Sequence, residues 1–105
     1  MENRKVNILG TEYKIGFDFD SDEADGEARF YKKEINLRPV QDMLDDDSSD
    51  KEKRSRFLEV FRHEVLHSIL YEAGADEYAR DEKLIDLLAI LSPKIFKTFQ
   101  ELDIL

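Results

Sequence analysis

Apolar and polar residues alternate through the first part of the chain, and this pattern predicts β-strands. Residues 6–19 place an apolar or aromatic side chain at most second positions, with Gly10-Thr11 as an interruption. This predicts a hairpin of two strands. Weaker alternation over 28–31 and 34–38, around Lys32-Lys33, predicts a second strand pair. Pro39 ends it, because proline cannot donate to a strand ladder.

Two acidic stretches interrupt this part of the chain, one between the strand pairs and one after the second pair. Residues 20–27 are expected to form an acidic loop, and residues 40–50 an acidic connection. The second stretch ends in residues that can each cap a helix N-terminus: Asp47, Ser48, Ser49 and Asp50.

The spacing of apolar residues changes to three or four after residue 50, and this predicts helices. The first helix is expected from about 51 to 73, with Gly74 as the residue that follows its C-terminus. Its expected apolar face comprises Phe57, Leu58, Phe61, Val65, Ile69 and Ala73. A second helix is expected over about 78–91. Pro93 then opens a last short helix, so that helical structure extends to about residue 102.

Composition narrows the class of protein. At 105 residues with 41% hydrophobic content, the chain is expected to form one α+β domain: a small antiparallel or mixed sheet packed on the long helix, plus one or two C-terminal helices. The net charge of −9 argues against nucleic-acid binding and against docking on an anionic membrane. The first residues contain no apolar signal segment, so a cytoplasmic location is expected.

The strongest chemical signal is the pentapeptide His63-Glu64-Val65-Leu66-His67, which lies inside the predicted long helix. Residues four apart lie on one face of a helix, so both imidazoles can converge on one metal ion. Glu64 then lies where it can act as general base on a water molecule. Cysteine is absent, so a zinc ion has to be held by nitrogen and oxygen ligands.

A catalytic zinc site usually has three protein ligands, and the two histidines of the chain supply only two of them. The third ligand is expected to be a carboxylate after Gly74, and we favour Glu82 at the start of the next apolar run. Asp86, four residues further on, can accept a hydrogen bond from a ligating histidine and so orient it. Tyr71 and Tyr78 are candidate donors to a developing oxyanion.

The site residues carry a family resemblance. The stretch His63–Ile69 with Glu72-Ala73-Gly74, followed by Asp81-Glu82, resembles the small phage- and prophage-encoded ImmA/IrrE-like metallopeptidases of the gluzincin type. The resemblance implies a zincin-like fold and a zinc ion on His63, His67 and Glu82, with Glu64 as base and proton shuttle. It also implies that the protein acts in a bacterial or phage-infected host cell. Because the gap from His67 to Glu82 is shorter than in large gluzincins, Glu77, Asp81 or Asp86 remain alternative ligands.

The sequence therefore predicts a zinc-dependent peptidase that hydrolyses a peptide bond in a protein substrate, which could pair with the free edge of a strand near the cleft. An alternative is an acidic interaction or regulatory module whose zinc site is structural or catalytically inactive. A zinc hydrolase with a non-peptide substrate is a third possibility. Nothing in the sequence indicates the oligomeric state.

Overall fold

A computed structural model describes residues 3–105 and has the predicted α+β architecture, with a four-stranded mixed sheet and three helices. The strands are β1 (Arg4–Ile8), β2 (Thr11–Gly16), β3 (Gly26–Arg29) and β4 (Glu34–Leu37). A 3₁₀ turn (Val40–Asp42) leads to α1 (Asp50–Glu72), α2 (Asp76–Ala79) and α3 (Glu82–Glu101). None of the described helices combines the length and hydrophobicity of a membrane span.

The sheet order is β1-β2-β4-β3, which leaves β3 at an edge. β1 and β2 form the predicted antiparallel hairpin, and its turn contains Leu9 and Gly10 with φ of 49° and 94°. These positive values are typical of the turn that matches strand twist. β3 and β4 also pair antiparallel, while β2 and β4 run parallel. The sheet is therefore mixed, which is one of the two forms predicted from the sequence (antiparallel or mixed).

One face of the sheet packs on α1 and forms the core. The core residues of the strands are Ile8, Tyr13, Ile15, Ile35 and Leu37, and Phe17 follows directly after β2. The core residues of α1 are Phe57 and Val60. Met43 is also fully buried, although it lies in the stretch predicted as an acidic connection. Leu58 and Ala73, predicted for the apolar face of α1, are exposed instead. The buried face of this helix includes the polar residues Glu64, His67 and Ser68.

Local capping sets the ends of α1. Ser49 accepts a hydrogen bond from the Glu52 amide, and the Glu52 side chain accepts one from the Ser49 amide, which forms a capping box. At the other end, Gly74 has φ of 80°, a conformation that glycine adopts without strain. Both ends agree with the sequence-based prediction within about one residue.

Glu72 ties the last turn of α1 to the sheet. Its carboxylate accepts hydrogen bonds from Thr11 Oγ1 at 2.9 Å, Tyr13 Oη at 2.6 Å and Lys33 Nζ at 2.8 Å. These donors, with Lys33 first, hold the pKa of the Glu72 carboxyl below its usual range. This contact fixes the position of α1 relative to β2 and to the turn before β4.

The prediction for the C-terminal helices was wrong in two respects. The helix predicted from Tyr78 is divided into the short α2 and a separate α3, which begins after Asp81 accepts a hydrogen bond from the Leu84 amide. Pro93 does not open a new helix but lies inside α3. Proline lacks an N–H, so it leaves the carbonyl four residues earlier free, and Arg62 Nε donates to this Ala89 oxygen at 2.7 Å.

The second strand pair also begins earlier than predicted. β3 starts at Gly26, inside the stretch expected to be an acidic loop. Asp25 holds this start in place because its carboxylate pairs with Arg38 Nε and Arg56 Nη2, each at 3.0 Å. The acidic loop is therefore anchored to both the sheet and α1.

Candidate metal centre

The predicted motif lies in the middle of α1, on the side that faces α3 and the end of β3. His63 and His67 are one turn apart, so their rings are neighbours with centroids at 4.7 Å. His67 and Glu64 are buried and His63 is half-buried. The histidines are therefore not surface residues of an amphipathic helix.

Each imidazole is oriented by a hydrogen bond through its Nδ1 atom. His67 Nδ1 lies 2.5 Å from the Ala79 carbonyl oxygen, which can only accept. His63 Nδ1 lies 3.0 Å from Asp86 Oδ1, the carboxylate predicted to orient a histidine. These partners favour the tautomers that carry the proton on Nδ1 and leave Nε2 with a free electron pair.

The free Nε2 atoms converge with the carboxylate of Glu82. His63 Nε2 lies 3.1 Å from Glu82 Oε2, His67 Nε2 lies 3.1 Å from Glu82 Oε1, and the two Nε2 atoms lie 3.1 Å apart. Ligand atoms about 2.0–2.1 Å from a tetrahedral zinc ion are roughly 3.3 Å from one another. The three groups thus have nearly the spacing of ligands on one zinc ion, and a cation between them would stabilise their converging electron pairs.

The other carboxylates considered as third ligands are not part of this converging group. The group of residues with potential ligand atoms within 4.8 Å of one another contains His63, His67 and Glu82. Asp81 caps α3 through the Leu84 amide, and Asp86 is engaged with Nδ1 of His63. Glu77 is exposed on α2. Among the candidates, Glu82 is the carboxylate that the fold brings to both histidines.

Glu64 is the buried acid beside this group, with 7% of its surface exposed. Burial, together with the negative charges of Glu82 and Glu27, raises the pKa of the Glu64 carboxyl to about 7. A carboxyl with a pKa near neutrality can both accept and release a proton at physiological pH. The chemistry required of a general acid and base is thus available at this position.

A cleft of about 600 Å³ opens over the site. Its walls include the start of β3, the His63–His67 face of α1, and Glu82 and Asp86 of α3. The Asp25 carbonyl, just before β3, accepts a hydrogen bond from the Arg38 amide, just after β4. Along an antiparallel pair, residues alternate between bonding to the neighbouring strand and pointing away from it. The backbone groups of Gly26 and Ala28 therefore point away from β4. The free edge of β3 therefore borders the cleft.

Gly26 is required by the close approach of β3 to α1. A Cβ atom at this position would lie 3.0 Å from Val60 Cγ1 and 3.2 Å from Glu64 Cγ. The strand can therefore pass directly over Glu64 because residue 26 has no side chain. This role was not predicted from the sequence, and neither was that of the Ala79 carbonyl. A glycine in an otherwise acidic stretch was the available signal for the first, whereas a backbone acceptor leaves no signal in the sequence.

The tyrosines proposed as oxyanion donors do not line the cleft. Tyr71 stacks on Phe30 with ring centroids 4.3 Å apart, and Tyr78 is exposed on α2. Arg80 lines the cleft next to Ala79, and its guanidinium carbon lies 5.3 Å from the Phe30 ring centroid. A positively charged side chain therefore lies in the cleft wall beside Phe30, whereas neither candidate tyrosine lines the cleft.

Replacing Asp86 by alanine is expected to weaken zinc binding by about 10–100-fold, because His63 would lose the acceptor that orients its ring. Glu101→Ala removes the same charge from the far end of α3 and serves as the control. Competition with a chromophoric chelator measures both affinities. Equal zinc affinity in the two variants would show that the contact between Asp86 and His63 does not support the site.

Comparisons with known proteins returned no relative: no protein-family model, no curated protein and no solved structure matches the chain.

Proposed function

We propose that this protein is a zinc-dependent peptidase in which Glu64 activates water for hydrolysis of a peptide bond in a protein substrate. The observation that carries the proposal is the convergence of His63 Nε2, His67 Nε2 and the Glu82 carboxylate at 3.1 Å, with both Nδ1 atoms engaged elsewhere. Buried Glu64 lies beside this group at the floor of an open cleft.

The donor set favours a catalytic role over a structural one. Structural zinc sites are usually closed by four protein ligands, while hydrolytic sites have three and keep one position for water. Within residues 3–105 the converging group has three members. The alternative of an acidic interaction module with a structural zinc ion would require a fourth ligand, and Asp86 is occupied by His63 Nδ1.

The residues of the site divide the chemistry between them. Zinc, when bound, supplies Lewis acidity and lowers the pKa of its water toward about 7. Glu64 would accept a proton from the attacking water and deliver it to the leaving amine, a task that suits a buried carboxyl adjacent to the metal ligands. Asp86 and the Ala79 carbonyl keep the histidine rings oriented throughout.

The edge of β3 offers a way to hold an extended peptide. Outward-facing backbone groups at Gly26 and Ala28 can pair with a substrate strand, and this strand would run along the cleft past Glu64. Main-chain pairing supplies affinity without selecting side chains. This supports a peptide substrate over a small non-peptide one.

Sheet, motif helix and glutamate-bearing helix follow one another here in the order that the resemblance to ImmA/IrrE-like gluzincins implies. We therefore infer a minimal zincin-like domain, acting in the cytoplasm of a bacterial or phage-infected cell. The support is the site itself: a histidine pair on α1 with a glutamate from α3 and an edge strand at the cleft.

Metal analysis of the purified protein tests the proposal. We expect about one zinc ion per chain, cleavage of a mixed peptide library, loss of cleavage after chelation, and recovery when zinc is restored. A protein that holds zinc but cleaves no peptide under any of these conditions would support the structural role. A protein that binds no zinc would contradict the proposed site altogether.

A further inference from the structure

The second half of α3 carries an apolar face with no described partner. In the first half, Ile85 and Ala89 are fully buried on this side of the helix, which faces α1. The same face continues through Ile95, Phe96, Phe99 and Leu102, which are 36%, 53%, 37% and 62% exposed. Leu58 of α1, 37% exposed, lies one helical turn before Arg62, whose Nε contacts Ala89 of α3, and it is included with these four residues in what we call the α3 apolar face.

The α3 part of this face carries no charged residue. The charged residues of this half of the helix, Lys94, Lys97 and Glu101, recur at spacings of three and four and so lie together on the opposite side. The second half of α3 is thus strongly amphipathic, although its apolar side packs on no element within residues 3–105. A helix with one apolar face generally buries that face against another element.

The area of the face matches what a dimer needs. If a large apolar side chain exposes about 200 Å² when fully uncovered, the five residues expose on the order of 450 Å². A standard interface buries about 800 Å² per partner, of which about 56–65% is apolar, and therefore requires roughly 450–520 Å² of apolar surface. A small-molecule site does not explain this area, because the residues form a helix surface and line no described cleft.

We propose that the α3 apolar face binds the same face of a second copy of this chain. A two-fold interface places one patch against itself, and an uncharged patch meets itself without like-charge contacts. This matters because each chain has a net charge of −9, so that two copies repel one another overall. Residues 92–102 carry two lysines and one glutamate, so this part of the surface is locally not acidic.

Pairing through this face leaves the cleft open. Glu82 and Asp86 lie in the first turns of α3, and the middle of the apolar face is roughly 20 Å further along at 1.5 Å per residue. The same helix would then hold the candidate metal ligand at one end and the dimer contact at the other. The proposal does not depend on peptidase activity.

Sedimentation velocity over about a hundredfold range of concentration tests the dimer. The wild-type protein is expected to shift from 12.4 kDa toward twice that mass as its concentration rises. Its midpoint of thermal unfolding should rise with concentration as well, because association stabilises the folded state. The double variant Phe96→Asp, Phe99→Asp is expected to remain a monomer throughout.

Ile90→Asp is the matched control, since Ile90 is exposed on the other side of the same helix and should leave the dimer intact. If the double variant fails to show a helical circular dichroism spectrum, Leu102→Asp at the end of α3 replaces it. A wild-type protein that stays a monomer at every concentration would overturn the proposal. A dimer that is disrupted by Ile90→Asp but not by the double variant would also overturn it. The same holds for a monomer that binds anionic lipid vesicles through this face.

Discussion

Replacing Glu64 by glutamine is expected to lower kcat for peptide hydrolysis by about 10²–10⁴-fold, because the amide cannot accept the proton of the attacking water. Zinc content should stay at the wild-type value, since the histidines and Glu82 form the candidate ligand group. The free energy of unfolding should not fall either. Glu64 is buried, and a neutral amide of the same size costs less to bury than a carboxylate.

The measurement combines a cleavage assay, metal analysis and urea unfolding on the same preparation. Glu12→Gln, an exposed glutamate of β2, provides a control for the loss of one acid away from the site. Unchanged hydrolysis in the Glu64 variant would remove Glu64 from the mechanism. If the variant loses its zinc or its fold instead, Glu64 has a structural role.

Replacing both His63 and His67 by alanine is expected to reduce the zinc content from about one ion per chain to near zero. The reason is that both nitrogen ligands of the candidate centre would be lost, and the chain has no other histidine and no cysteine to replace them. Hydrolysis should be lost in parallel. Mass spectrometry of the intact protein under native conditions, with metal analysis in solution, measures the stoichiometry.

Glu77→Ala is the control for this second experiment. Glu77 was an alternative ligand in the sequence and is exposed on α2 in the structure, so its removal should leave zinc bound. Zinc content that does not change in the double histidine variant would contradict the metal centre. Zinc lost from the Glu77 variant would instead mean that α2 rearranges to supply the third ligand.

Local patterns in the sequence were sufficient for several elements. Ser49 with Glu52, and Gly74 at the far end, specify the limits of α1 through capping and positive φ, which depend on neighbours a few residues away. The hairpin around Gly10 is local for the same reason. One feature that depends on a distant partner was predicted wrongly. Pro93 was expected to separate two helices, but Arg62 satisfies the carbonyl that proline leaves free.

The burial of individual side chains was also only partly predictable from local patterns. Met43 lies among acidic residues and gave no signal of its complete burial, while Leu58 and Ala73 have the spacing of a core face and are exposed. Periodicity identifies a helix but does not say which of its faces meets a sheet and which meets another helix or solvent. On α1 the face toward the cleft is partly polar, because it contains Glu64 and His67.

By itself, the sequence determined the α+β class, the long helix, and the placing of two imidazoles and one carboxylate within a single turn, because four-residue spacing on a helix is a local property. Only the tertiary structure decided which of four acids approaches the Nε2 atoms of both imidazoles. It also decided which backbone carbonyl orients His67, and it placed a strand edge with Gly26 over Glu64. These groups lie on separate elements, and their distances depend on how α2, α3 and the sheet pack on α1.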